Sequence, residues 1–271
     1  MSKHLAKVLR QIRFENRTFW RNPAAAFFTI LFPLMMLLIF ATVFGNEPTG
    51  VGVTTAQFYA PALAVFGAVS AAYTSLAIGT AIARDQGVLK RVRGTPLPPW
   101  AYMTARIGSS VWLAALSIVL MLAVGMVFYD LQIRTEQIPT LILTFIAGVA
   151  AFAALGLAIT AVASADSVPA ITNATLLPLA FISGVFFGPN SEMPTWLDRI
   201  ADFFPLKHFV EPFVNAFIPG TSADIPWTDI AWLGGWLAVG IVMALLFFRW
   251  DPRTDSGPGI GRRNRNDRIT V

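Results

Sequence analysis

Polar and apolar positions along this chain sort into long blocks, not the short alternations of a soluble fold. Six apolar stretches follow one another: Ala24 to Phe44, Phe58 to Ala83, Ile107 to Phe128, Pro139 to Ala163, Val168 to Phe187 and Trp227 to Phe248. A bilayer core of ~30 Å needs about 20 residues of helix, because lipid leaves every backbone N–H and C=O to be satisfied within the segment. Each stretch meets that length and predicts a spanning helix. No Asp, Glu, Lys, Arg or His lies inside any of them except Asp229, at the very start of the last, where an interfacial position is expected.

The connections are patterned too. Before the first apolar run, Leu5, Val8, Leu9, Ile12 and Phe19 recur at three- and four-residue spacing beside a stripe of Arg10, Arg13, Arg17 and Arg21. This predicts an amphipathic helix lying in the interface over residues 1–22. Asn22 followed by Pro23 supplies an N-cap and a proline at the first helical position, so the chain can turn there into the membrane. Between the second and third runs, Val88, Leu89 and Val92 repeat at helical spacing beside Lys90, Arg91 and Arg93, ahead of Gly94 and Thr95-Pro96. A short amphipathic helix is expected there; a basic loop that merely fixes topology would carry the same charges. After the fifth run, Trp196, Leu197, Ile200 and Phe203 fit one helix face and Leu206, Phe209, Val210, Phe213 and Phe217 another, with Pro205 between. They predict two short interfacial helices in the outer leaflet, serving as an aromatic anchor, a gate, or both. The Gly-, Arg-, Asn- and Asp-rich stretch 252–271 is expected to be a disordered basic tail, leaving residues 1–251 as one membrane domain.

Charge sets the orientation. Of the 20 Lys and Arg residues, all but Arg134, Arg199 and Lys207 fall on one side of a six-span topology, so the positive-inside bias makes both termini cytoplasmic and the protein a multi-pass component of the cytoplasmic membrane. The content of 55% hydrophobic and 13% charged residues, with a mean hydropathy of +0.62, argues against a soluble fold. The net charge of +5 points to anionic lipid, not nucleic acid, as counter-charge. The chain has no cysteine, which removes disulfides and thiolate metal sites from consideration. The run from Ala24 is longer than the h-region of a cleaved leader and lacks an A-x-A site, so it reads as a retained span.

Motifs that are missing narrow the function. No G-x-x-x-x-G-K-[ST] phosphate loop occurs, so the chain has no means of using ATP unaided. His4 and His208 fall on opposite faces, which leaves no two-histidine metal site. No ionisable group sits at mid-span, which disfavours an ion-coupled carrier or an intramembrane enzyme. The polar residues inside spans are Ser70, Tyr73, Thr74 and Ser75 in the second and Thr172, Asn173, Thr175 and Ser183 in the fifth. Interhelical hydrogen bonding and ligand contact both remain open for them. Ala147, Ala150, Ala151, Ala154 and Ala158 form a small-residue ridge suited to close helix packing. Pro33 and Pro178 are expected to loosen or kink their helices.

The cytoplasmic run Arg84-Asp85-x-Gly87-Val88-Leu89-Lys90-Arg91 with Thr95-Pro96-Leu97 resembles the ABC-2 permeases. So does the outer Gly184-Val185-Phe186-Phe187 followed by Met193-Pro194-x-Trp196-Leu197 and Phe204-Pro205-Leu206. The resemblance is to the daunorubicin and drug-exporter members, in their actinobacterial style, and runs from the N-terminal helix to the sixth span. The family pattern has Glu where Asp85 stands and Thr where Val88 stands.

This resemblance implies an all-α membrane fold with a coupling helix that docks on a separate ATPase, its contacts drawn from Asp85, Gly87, Val88, Leu89, Lys90, Arg91 and Val92. It implies a homo- or heterodimer of permeases working with two ATPase subunits, and it places ATP and Mg²⁺ in those partners, with no cofactor, metal or catalytic residue in this chain. A substrate path is expected among Phe28, Phe32, Tyr73, Asn173 and Phe181, and outer gate helices at Pro194, Trp196, Leu197, Phe204 and Pro205. The expected function is outward movement of a lipophilic drug or a lipid- or glycolipid-like substrate. An ATP-independent channel or carrier and a non-transporting assembly subunit are the alternatives.

Overall fold

The computed structural model describes residues 3–44, 48, 52–93, 99–187 and 194–247, so the expected tail lies outside the described residues. Among those residues the regular structure is helical, apart from one isolated bridge between Pro48 and Thr54. In chain order the helices are α1 (Lys3–Trp20), α2 (Phe27–Val43), α3 (Thr55–Asp85), α4 (Val88–Arg93), α5 (Pro99–Tyr129), α6 (Ile138–Val162), α7 (Val168–Ile182), α8 (Thr195–Phe203), α9 (Pro205–Asn215) and α10 (Trp227–Phe247). Four of them, α3, α5, α6 and α10, are long and apolar enough to cross a membrane, while α2 and α7 are shorter apolar helices.

The fifth apolar run extends to Phe187, but its helix stops at Ile182. Gly184 adopts φ +80°, and the Val185 N–H returns to the Ala180 carbonyl at 3.2 Å, the left-handed ending that glycine makes cheap. The Asn22-Pro23 signal works as its residues predict. Asn22 Oδ1 accepts the Ala25 N–H at 3.3 Å, and a helical turn begins at Pro23.

At the centre stands α3. Ala60, Ala62, Leu63, Ala64, Val65, Ala68, Val69, Ala71 and Ala72 are all fully buried, so this helix meets protein on every side, packed by α2, α5, α6 and α9. In lipid, helices gain little from hiding apolar surface and associate by close packing, which small residues permit. Three glycines mark close crossings. A Cβ on Gly156 of α6 would sit 2.8 Å from the Tyr73 carbonyl oxygen, and one on Gly240 of α10 would sit 2.8 Å from Ala154, inside the alanine ridge. A Cβ on Gly148 would enter the ring of Phe209, by which α9 is seated against α6.

Two helices carry π-helical turns, Phe27–Leu31 at the start of α2 and Ser70–Ser75 within α3. Pro33 accounts for part of the first. It has no N–H to offer the Thr29 carbonyl one turn earlier, and Ser117 Oγ of α5 donates to that oxygen at 3.2 Å. Lipid has no water to do so, hence a neighbouring hydroxyl must. The two π turns are also joined, Thr29 Oγ1 lying 3.1 Å from Ser75 Oγ.

Candidate functional site

The richest polar chemistry lies where α3 ends. Arg84 is 0% exposed. Its Nε donates to Asp85 Oδ1 at 2.7 Å, its Nη2 to the Ala163 carbonyl at 2.8 Å and its Nη1 to the Thr160 carbonyl. Both carbonyls belong to the C-terminal turn of α6, where a helix leaves acceptors unpaired and a cation is favoured. The other Asp85 oxygen, Oδ2, accepts the Ala165 N–H at 2.9 Å in the turn between α6 and α7.

Next along the chain, Gly87 takes φ +69° and its N–H bonds the Arg84 carbonyl at 2.9 Å, which turns the chain off α3 and into α4. Leu89 is fully buried and packs with Ala83 and Tyr102. Gln86 and Arg91 stay exposed and Val88 is half-buried. Asp85 and Leu89 of the expected coupling set thus face their own protein, while Gly87, Val88 and Arg91 lie at or near the surface. The side chains of Lys90 and Val92 lie outside the described residues.

A second network ties the N-terminal helix to the same end of the bundle. Arg106 of α5 donates through Nε to Thr80 Oγ1 and through Nη1 to the Tyr102 hydroxyl, both at 2.8 Å. It also pairs with Glu15 of α1 at 3.3 Å, each side chain 11% exposed. Gly79 leaves the room for this guanidinium, since a Cβ there would collide with Arg106 Nη2.

Several hydroxyls within the helices bond back to their own backbone, Thr172 to Val168 and Thr175 to Ile171 among them, and a few join helices. Besides Thr29 with Ser75, the Tyr73 hydroxyl lies 2.7 Å from Thr175 Oγ1 of α7. Rings link Phe28 to Phe32, Phe32 to Phe66, Phe66 to Phe186 and Phe186 to Phe181, at centroid distances of 6.1, 6.0, 5.5 and 4.8 Å. Three of the expected path residues, Phe28, Phe32 and Phe181, therefore fall on one aromatic run through Phe66 and Phe186. Phe28 and Phe181 are 53% and 51% exposed on the bundle surface. Asn173 is exposed on α7, and Tyr73 is buried, packing edge-on to Phe152.

At the opposite end, α8 and α9 break at Phe204, whose backbone is extended, and α9 restarts on Pro205. Leu206, Phe209, Val210, Phe213 and Phe217 are buried, whereas Trp196, Ile200 and Phe203 are exposed. A cavity of about 360 Å³ opens between α9, the end of α7 and the start of α3, with Phe58, Ser183, Asp198, Lys207 and Glu211 in its wall. Lys207 Nζ donates to Asp198 at 2.5 Å and Asp202 at 2.6 Å. Burial pulls the Lys207 ammonium down, but its hydrogen bonds to those carboxylates outweigh that and hold it above the ordinary lysine value. Burial pushes the Glu211 carboxyl up, opposed by Lys207 and aided by Asp229, Asp198 and Asp202. Both ring nitrogens of His208 face oxygens, the Asp229 carboxylate at 2.7 Å and the Asp202 carbonyl at 2.8 Å.

In the sequence Arg106 stands only as a topological charge and Arg84 as a topological charge and part of the family motif, and neither the buried bonds of these two nor the partners of Glu15 and Glu211 are visible there. The available signals were adjacent opposite charges closing an apolar run, and a lone carboxylate in a basic amphipathic helix.

Apolar helices of spanning length, with ionised groups held at the two ends of the bundle, define a multi-pass helical membrane protein. The chain belongs to the ABC-2 type transporter family, which it matches over residues 8–218. It is similar to the putative transport permease YvfS of Bacillus subtilis, 26% identical over 196 residues that make up 72% of this chain and 79% of that protein. The daunorubicin resistance ABC transporter permease protein DrrB1 of Streptomyces coeruleorubidus is 27% identical over 185 residues, 66% of this chain and 63% of the relative. The probable multidrug ABC transporter permease YbhR of Escherichia coli K12 is 23% identical over 158 residues, 58% of this chain and 42% of the relative. This chain is a transport permease of that family.

Proposed function

We propose that the chain is the six-span permease subunit of an ATP-driven exporter, working as a homo- or heterodimer with two copies of a separate ABC ATPase. Both termini lie in the cytoplasm, and α2 and α7 supply the first and fifth spans. Residues 85–92 form the segment that receives the ATPase. One observation carries this reading: a short helix hung from the end of α3 by a left-handed glycine and anchored by buried Leu89. Such a helix is a rigid lever that leaves Gln86, Val88 and Arg91 toward the surface. Asp85 and Leu89 hold the lever in place, and Arg91 orients the partner through its charge.

ATP and Mg²⁺ bind in the partner, whose closure pushes α4 and with it α3 and α5. The aromatic face of α2 and α7, with exposed Phe28 and Phe181 and half-buried Phe32, then meets the second permease and lines the route of a lipophilic drug or lipid- or glycolipid-like substrate. Tyr73 and Asn173 contribute the polar groups of that route. The hairpin of α8 and α9, with Pro194, Trp196, Leu197, Phe204 and Pro205, closes it on the outside.

The test is co-purification of the ATPase with Arg91→Glu. Association is expected to weaken about tenfold, or ~1.4 kcal/mol, with the permease itself still folded. Unchanged association, or uphill solute accumulation by the permease alone in liposomes, overturns the reading.

A further inference from the structure

The buried guanidinium at the end of α3 does more than close a helix. A basic residue at the border of a span ordinarily reaches for water or lipid phosphate along its flexible stem. Arg84 does neither, being wholly enclosed. It bonds the carbonyl of Ala163, a member of a small apolar cluster with Ala77, Ala81 and Val168, against which Ile78, Ile159 and Ala165 pack. Within that enclosure its fork is spent on Asp85 and on two carbonyls of the α6 terminus. Asp85 in turn holds the Ala165 N–H of the following turn.

Two adjacent residues of one helix end therefore grip both the last turn of α6 and the loop that starts α7. Pulling the turn away would strip the enclosed guanidinium of both its carbonyl acceptors and leave that charge under-satisfied away from water, so the grip resists being pulled open. A lysine has no planar fork and cannot meet these acceptors together.

The chain leaves this grip through Gln86 and the left-handed Gly87 straight into α4. Force applied to α4 has one covalent route onward, through the 94–98 segment into α5, and one back into α3. The α6–α7 turn is remote in sequence from both.

We infer that Arg84 and Asp85 are positioning residues that latch the α6–α7 turn to the α4-bearing end of α3, so that α7 moves with α4. Through this latch a push on α4 reaches the helix that carries Asn173 and Phe181, without passing through α5. The inference rests on the reading of α4 as the ATPase-receiving segment.

The test uses the permease–ATPase complex in nanodiscs, and the cysteine-free chain makes site-specific spin labelling direct. Labels go on Gln86 or on Asp166, each paired with a reference label on Thr228 at the far end of α10; all three positions are exposed. With ATP and vanadate, both distances in the parent protein are expected to change together. In Arg84→Met the Gln86 change persists while the Asp166 change falls at least threefold.

Should Arg84→Met fail to assemble, Asp85→Asn is the second variant. It keeps the guanidinium and removes the carboxylate that serves Arg84 and the Ala165 N–H at once. It is expected to uncouple the two distances, and Asp85→Glu to restore them. Undiminished movement of Asp166 in Arg84→Met or Asp85→Asn overturns the latch. So does a parent protein in which Gln86 moves and Asp166 does not. No nucleotide-dependent change at Gln86 in the parent sinks the ATPase-receiving role of α4 itself, and the latch with it.

Discussion

Replacing Gly148 with alanine tests how the α8–α9 hairpin is held. Phe209 is fully buried, and its ring fills the notch that Gly148 leaves in α6, with three ring atoms closer to the position of an added Cβ than any real contact allows. The ring has nowhere to retreat, because Phe213 packs edge-on against it at 6.2 Å and Leu206 and Val210 around it are buried. Overpacking of this kind costs about 1–3 kcal/mol. For a chain of this size that lowers the thermal midpoint by roughly 2–4 °C per kcal/mol. The assay is thermal unfolding in detergent, followed by tryptophan fluorescence, to which Trp232 and Trp236 contribute with indole N–H groups that both donate to the Phe203 carbonyl at 3.1 Å. Phe209→Leu combined with Gly148→Ala is expected to recover part of the loss, with a coupling of about 0.5–3 kcal/mol. An unshifted midpoint in Gly148→Ala, or strict additivity in the double variant, would refute the seating of α9 on α6.

Two further outcomes follow from the bonds described. Ser117→Ala leaves the Thr29 carbonyl, already deprived of an N–H by Pro33, without its hydroxyl donor; a loss of about 1–3 kcal/mol is expected, read as a lower midpoint that Ser117→Thr largely restores. Glu211 has a raised carboxyl pKa, so between the ordinary value and the raised one the folded state binds more protons than the unfolded. Its contribution to stability therefore declines as pH rises through that window. Glu211→Gln is expected to flatten the midpoint-versus-pH curve there and to gain on the parent at neutral pH, and an identical slope in the two proteins would contradict the burial of this carboxyl.

What the sequence reveals and what it hides divide along physical lines. The helices α3, α5, α6 and α10 are readable because apolar length is a property of composition alone, and the alanine ridge of α6 because close crossings need small residues. The split of α8 from α9 was visible in Pro205. The faces were visible too, since Leu206, Phe209, Val210, Phe213 and Phe217 are the residues that become buried. Pro33 marked a loosening of α2, but the π turn of α3 was hidden, because shifting a helical bond by one residue there leaves no mark in residue type. Arg84 was hidden for another reason. A basic residue after an apolar run looks the same in a list whether it reaches water or folds back onto carbonyls of a helix about 80 positions later, and only the three-dimensional neighbourhood decides. Leu89 belongs with it: its helical spacing with Val88 marked an apolar face, but not that Tyr102 of the same chain would cover it.

The meeting of Pro33, Ser117 and Gly67 has a consequence for descent. Ser117 Oγ and the Thr29 carbonyl occupy the space a side chain on Gly67 would need. A lineage that keeps the proline is expected to keep a hydroxyl at position 117. The glycine is held more tightly still, since the Thr29 backbone carbonyl would meet a side chain at position 67 at 2.9 Å whatever stands at the other two positions.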